Sequence, residues 1–441
     1  MSNIVNSTSE NGIVITPKAF AIEKITLTAN NGKEYNLLGT VHDIKIHEGL
    51  HRSGLFVEIF IEDAVNLPDE LKISLNERID LSLVREEYSG EKRFDLELYI
   101  SSISNYSEPT PSSKAYTLTC ISKHGYLNNK KLLNQPFNNT TANLIKSIIK
   151  THLDSEVDVR CSTEKSIKGI YPNLQPIEAI AWLLRNSFDN GTPVYLYETA
   201  DEGLILTSYN EILKQDVYHK YNRNPFFTET LHNSTEKGIF EEERAKIRKV
   251  ISNRNISKFE ASAKGAFGSV MNKIDIATKT VKPAVEFKYN ELTEKLNDLP
   301  VIENTMKIGK EKIEDFKNLK QHWISENSLS FGKDIFTYHD PIGEKQLLKR
   351  NAHINNLNTN VLTVSLPGDF KFAPGKIIEL EILRQADIQE ELEEGRDYID
   401  EELSGKYLVS SVIHHFSKDG YFMQTNIKKD SFIVKQVREN D

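Results

Sequence analysis

The chain has 441 residues, enough for roughly three domains on the usual length prior. Hydrophobic residues make up 38% and charged residues 27%, which excludes a collagen-like or wholly disordered chain. A net charge of -9 argues against tight phosphate-backbone binding, which needs clustered Lys and Arg.

Met1 to Thr8 have neither a basic n-region nor an apolar h-region, and no stretch approaches the ~18 apolar residues of a membrane span. Synthesis in the cytoplasm, without a secretory address or membrane insertion, is the expectation. Cys120 and Cys161 lack CxxC spacing and read as two reduced thiols. Residues 1–16 are rich in Asn and Ser and read as a flexible N-terminal arm.

Residues 17–128 follow a period of two. Ile25 and Leu27 alternate with polar neighbours, and Asn30-Asn31-Gly32 supplies a hairpin turn. Leu55, Val57, Ile59 and Ile61 share one strand face. Ile79, Leu81 and Leu83 follow, then Phe94, Leu96, Leu98 and Ile100, then Tyr116, Leu118 and Cys120. Strands with one apolar face each predict a first tube-like antiparallel β-barrel.

Residues 129–225 predict a small α+β middle domain. A capped helix near Thr140 carries Leu144, Ile145, Ile148 and Ile149 as its buried stripe. A second helix starts at Pro176, presents Ile177, Ile180, Ala181 and Leu184, and stops before Asp189-Asn190-Gly191. Strands Val194–Glu198 and Leu204–Leu206 join across Asp201-Glu202-Gly203.

Residues 226–350 read as a partly helical connector. Phe240 to Ile251 is a charged helix candidate, and Phe259 to Val281 looks extended, with a turn eased by Gly265 and Gly268. Ile313, Phe316, Leu319 and Trp323 are spaced for one helix face. Residues 351–441 return to period two and predict a second tube-like barrel, with strands from 255–290 as candidate additions. Within it, Leu366-Pro367-Gly368 closes one strand and Pro374-Gly375 turns into the next, so Gly368, Pro374 and Gly375 are the candidate structural turn. The fold class expected is α+β and β-rich, with two barrels flanking the middle domain and connector.

No catalytic, cofactor-binding or metal residues are assigned. His42, His47 and His51 invite a zinc reading, but on a regular strand His42 shares the face of Ile44 and Ile46 while His47 points away. His414-His415 fails likewise, since adjacent strand residues face opposite sides. The acidic run from Gln389 to Glu402 reads as a solvated loop. Gly265-Ala266-Phe267-Gly268-Ser269 lacks the trailing Gly-Lys-Ser/Thr of a phosphate loop. There is no Gly-x-Ser-x-Gly elbow and no His-Glu-x-x-His, so nothing specific supports an enzyme.

Three stretches carry a family likeness. Gly54 to Asp63, then Leu75-Asn76-Glu77-Arg78-Ile79-Asp80-Leu81, looks like a strand ending in Asp followed by a Gly-x-Glu strand start, with Asn76 near where Gly is usual. Gln175 to Leu183 is similar to the helix opening a middle domain, continued by Tyr195 to Thr199 and the Asp201-Glu202-Gly203 turn. Gly368 to Gly375 is followed by Lys406 to Phe416, which looks like a strand closing on His-x-Phe. Together these residues, spread from about 20 to 432, resemble the central baseplate hub proteins of contractile-tailed bacteriophages, related to the base of type VI secretion and tailocin spike proteins. Residues 283–340 have no counterpart.

The resemblance implies a homotrimeric ring whose two barrels per chain imitate six-fold symmetry, adapting a six-fold tail tube to a three-fold spike. It implies contacts with the tail tube protein, the central spike protein, and other baseplate and tape-measure proteins. DNA would pass through the channel without specific binding, and an acidic lumen would let it slide; charge reversal there should slow ejection. The place implied is the virion tail baseplate, assembled in the host cytoplasm. Fused spike proteins continue beyond the second barrel, whereas this chain stops at Asp441, so a stand-alone hub is expected ahead of a secretion-system or tailocin spike base. A tail-associated peptidoglycan hydrolase would need a cleft within 283–340. A carbohydrate-binding adhesin would need aromatic platforms on loops and ranks last.

Overall fold

A computed structural model describes residues 16–430 apart from 65–67, 69–72, 88, 111–112, 164–165, 186, 224–235, 256–257, 276–278, 293, 298–306, 309, 313–319, 327–340, 384–398 and 401–402. The expected N-terminal arm (all but Thr16), the acidic run from Gln389 to Asp397, and Ile313, Phe316 and Leu319 lie outside the described residues.

The first unit holds β1 Ala21–Thr28, β2 Glu34–Asn36, β3 Val41–Gly49, β4 Phe56–Asp63, β5 Arg78–Glu87, β6 Gly90–Thr110 and β7 Ser113–Ser122. They pair antiparallel in the order β3-β4-β7-β6-β5-β1-β2. Alternation buries every second side chain: Val57, Ile59 and Ile61 on β4 face Leu118 and Cys120 on β7 inside the sheet. The Asn30-Asn31-Gly32 turn joins β1 to β2, with Gly32 at φ +78°, a value glycine reaches without a Cβ clash.

The helix α1 Lys123–Leu127 leads into the middle module, formed by β8 Pro136–Thr140, α2 Thr141–His152, β9 Asp158–Val159, β10 Ser166–Ile170, α3 Pro176–Arg185, β11 Val194–Thr199, β12 Gly203–Ser208 and α4 Tyr209–Leu213. Leu144, Ile145, Ile148 and Ile149 of α2 are buried as their spacing predicts. The cap of α2 comes from elsewhere, because the Thr140 side chain makes no capping bond and Ala142 N donates to Thr163 Oγ1 at 3.0 Å. On α3 the stripe rotates: Ala179, Ile180 and Leu183 are buried in the module core, whereas Ile177, Ala181 and Leu184 are only partly covered.

After the module come β13 His219–Arg223, α5 Glu236–Ala245, β14 Lys249–Asn255, α6 Lys258–Ala263, β15 Gly268–Asp275, β16 Thr280–Lys288, the short β17 Lys307–Ile308 and β18 Glu311–Lys312, β19 Gln321–Glu326 and α7 Pro341–Leu357. The expected Phe240–Ile251 helix stops at Ala245, because the residues beyond it are recruited as a strand by a distant partner. The expected extended run from Phe259 opens instead as α6, which ends in a Schellman motif. Gly265 stands at φ +85°, Gly265 N bonds Ser262 O at 2.9 Å, and Ala266 N bonds Ala261 O at 3.0 Å. Trp323 lies on β19, which runs parallel to β15, so the helix expected around it gives way to strand pairing. Strands β16, β15 and β19 form a separate sheet in that order, packed on α7 through Phe267, Met271, Phe287, Leu348 and Ala352.

The second unit is built from β20 Asn360–Pro367, β21 Ile377–Ile382, β22 Gly405–Ser417 and β23 Gly420–Lys429, completed by β13 and β14. β14-β20-β23-β22-β21-β13 is the pairing order, and only β13 with β21 runs parallel. An Asn222–Lys246 bridge and the Ile247 N to Asn222 O bond of 2.8 Å bring β13 back toward β14, so the strands close on themselves. The thirteen-residue β22 then serves two partners along one edge: its first part takes β21, and Ser411 to Ser417 pair antiparallel with Gly49 to Asp43 of β3. Both units therefore belong to one 13-stranded sheet and share one hydrophobic core. Phe94 of the first unit meets Phe370 of the second at 4.6 Å, and Phe20 meets Phe416 at 5.1 Å.

Candidate functional site

The connection from β20 to β21 is where the two units and the middle module meet. Pro374-Gly375 follows a type II turn, with Gly375 at φ +83° and Lys376 N closing on Ala373 O at 3.4 Å. Gly375 N donates to Val409 O and Val409 N to Lys376 O, both at 2.9 Å, which ties the turn to β22. A Cβ on Gly375 would strike the Tyr197 hydroxyl, and one on Gly368 would enter the Tyr421 ring. Pro374 is buried. The β20–β21 connection thus admits no side chain at two of these positions, Gly368 and Gly375.

Buried charges hold this corner. Asp369 accepts from Arg244 Nη2 at 2.6 Å, Tyr218 Oη at 2.8 Å and Lys371 N at 2.9 Å. Burial alone would raise its pKa, but Arg244 and these bonds outweigh it and keep the carboxyl below its usual range. Arg85 reaches across from β5, donating to Gly368 O at 3.0 Å, Pro17 O at 2.7 Å and Glu87 Oε1 at 2.8 Å from Nε. Its guanidinium also faces the Phe370, Tyr421 and Phe240 rings at 5.2, 5.5 and 5.8 Å.

The middle module docks through its β11–β12 turn. Lys371 Nζ meets Asp201 Oδ1 at 2.6 Å, and Glu48 of β3 accepts from Ala200 N at 2.7 Å. Glu198, largely buried, accepts from Leu55 N at 2.6 Å and from the Ser122 hydroxyl, with His124 Nε2 3.4 Å away. Burial pushes its carboxyl above the ordinary range against the pull of His124.

Of the histidines, His42 departs from the regular-strand expectation, whereas His47 points away from Ile44 and Ile46, and His414 and His415 face opposite sides, as expected. A β-bulge between Val41 and Asp43 shifts the parity of β3, so His42 leaves the inner face of Ile44 and Ile46 and lies outside, 3.1 Å from Glu62. His47 pairs with Glu58 at 3.1 Å, and burial sets its pKa below the ordinary value. His414 is buried against Tyr421 Oη at 2.8 Å, and His415 pairs with Asp43 at 2.6 Å. Each of these four imidazoles has its own partner, His51 packs edge-on against the Tyr195 ring, and among the described residues no three metal-binding side chains converge.

Arg85, Glu87 and Glu48 were not singled out from sequence, yet a signal was there. They continue the inward positions of Leu81 and Leu83 on β5 and of Ile44 and Ile46 on β3, where a charge demands a buried partner. Arg244 and Glu198 left no such trace.

No protein-family model and no curated protein matches the sequence. Solved structures do match. A tail protein from Neisseria meningitidis aligns over 93% of this chain and 97% of its own, at TM-score 0.54 and 11% identity. The prophage MuSo2 43 kDa tail protein from Shewanella oneidensis aligns over 93% and 99%, at TM-score 0.53 and 12% identity. This chain has a tail-protein fold. A component of the Escherichia coli type VI secretion system, at TM-score 0.44 and 8% identity over 90% of this chain, is too distant to add weight.

Proposed function

We propose that this chain is a structural baseplate hub of a phage tail, without catalysis. Three copies would form a ring between a six-fold tail tube and a three-fold spike, leaving a channel for the genome. The observation that carries this reading is the tail-protein fold over nearly the whole chain, built around two β-units locked into one sheet. An adapter has to transmit load between rings of unequal symmetry without its halves slipping. The β3–β22 ladder, the shared core and the Arg85 and Asp369 clusters resist that motion through backbone hydrogen bonds and buried charge pairs. With two units per chain, three copies present six units around an axis.

Mixing the chain with the tube and spike proteins of its own tail and weighing the complex tests this. Three chains per spike are expected. A complex with six chains, or none with either protein, would refute the assignment.

A further inference from the structure

A small cavity lies where α4 of the middle module, α7 and the end of β23 meet. Tyr209, His353, Asn356 and Asp430 line it, with Leu292 and Leu357 as apolar wall. It leaves about 10 Å³ of room for the centre of a water molecule. Tyr209 and Asn356 are 1% exposed and His353 2%, yet Tyr209 Oη, His353 Nε2 and Asn356 Oδ1 have no hydrogen-bond partner among the described residues. Buried polar atoms are rarely left so, because the bonds they made to water are lost without replacement. Asn356 Nδ2 donates to Ala266 O and Ala352 O, both at 3.0 Å, which uses both amide hydrogens and leaves Oδ1 as an acceptor. His353 Nε2 stands 3.7 Å from Glu294 Oε2, outside hydrogen-bond range. Burial holds this imidazole below its ordinary pKa against the pull of Glu294 and Asp430, so it is neutral near pH 7. Nε2 can then donate or accept, and so can the Tyr209 hydroxyl, which burial keeps protonated. Asp430 already accepts from Leu296 N at 2.6 Å and from Asn297 Nδ2 at 3.0 Å.

We propose that this cavity is the binding site of one ordered water molecule, held by Tyr209 Oη, His353 Nε2 and Asn356 Oδ1. A buried water typically makes about three hydrogen bonds and needs about 10–15 Å³ for its centre, and the cavity meets both conditions. The partner set is mixed, with one fixed acceptor and two groups that donate or accept, which suits a molecule that does both. A metal cation would use lone pairs alone and would share the cavity with Lys295, which also lines it. An anion would face the Asn356 oxygen. The water ties Tyr209 of the middle module to two residues of α7, so this joint is made through a bridging molecule as well as by direct packing of the Tyr209 ring on His353, 5.5 Å apart.

A crystal structure of the whole chain, at a resolution where other buried waters are seen, reads the site directly. One peak within about 3.2 Å of all three atoms is expected, with no anomalous signal there after a rubidium soak. Tyr209→Phe, which keeps the ring and removes the hydroxyl, gives a test in solution that turns on sign. If the hydroxyl bonds a water, its loss should raise the unfolding constant in urea about fivefold. If it has no partner at all, the same change removes an unpaired buried group, and the constant should stay level or fall. No peak, or the three side chains bonded directly to one another, would overturn the proposal, as would a rubidium signal, which would make this a cation site. A level or lower unfolding constant for Tyr209→Phe would overturn it as well. Both measurements need no tail partner, so their outcome is independent of the hub reading.

Discussion

Arg85→Met removes a side chain that bonds the first unit to the β20–β21 corner and to Pro17 at once. The Arg85 side chain is fully covered and that of Glu87 is 7% exposed, so the change strands a buried carboxylate. Breaking a buried pair from one side costs about 3–5 kcal/mol. The Pro17 and Gly368 carbonyls also lose their donor, at about 1–3 kcal/mol each where water cannot reach. These penalties overlap, so the expected loss is about 4 kcal/mol, read from urea unfolding followed by circular dichroism. Arg85→Met with Glu87→Leu removes both charges and should recover about 2 kcal/mol of it. Native-state hydrogen exchange should quicken in β5 and in the corner around Gly368 together. A loss below about 0.5 kcal/mol, the size of an ordinary surface change, or faster exchange in β5 alone, would refute the view that this arginine couples the units.

Gly375→Ala puts a Cβ at φ +83° against the Tyr197 hydroxyl; about 1–2 kcal/mol of backbone strain plus about 1–3 kcal/mol of overpacking should lower the urea midpoint, with Tyr197→Phe restoring part of it. Gly39→Ala, which meets nothing within 4 Å, should leave the midpoint unchanged. Burial opposes ionisation of Glu77, but bonds from Ser74, Leu75 and Asn76 N–H groups win and lower its pKa from the ordinary 4.5. Its stabilisation is therefore complete above pH 4.5 and lost as pH falls through the lower folded value, so Glu77→Gln should flatten the acid limb of a stability–pH curve. Cys120 and Cys161 are both buried, and burial pushes the Cys161 thiol up to about 12. Ellman's reagent at pH 8 should label neither until the chain is unfolded.

Much of the sheet was legible because half-buried strands write their faces into alternate residues. Ile25, Leu27, Val57, Ile79, Leu98 and Cys120 are buried where period two puts them. Gly375 was legible as a turn residue, since turn chemistry is local. Whatever depends on distant pairing was not. The Lys249–Asn255 segment becomes a strand through β20, more than a hundred residues away, and Trp323 becomes a strand residue through β15. A one-residue bulge turned His42 outward, and period counting has no means of sensing an inserted residue. The Gly-like position before β5 falls on Leu75, at φ +69°, rather than on Asn76. In the corner, period two brings Arg85 and Glu87 to the inner face, but what meets them there is set by the docking of Gly368 and Phe370 from the far end of the chain.

A reconstruction of the tail tip containing this chain tests the hub reading most directly. Three copies around the axis, with their six β-units as a ring beneath the tube and above the spike, is the arrangement expected. Six copies, or a position away from the axis, would contradict it.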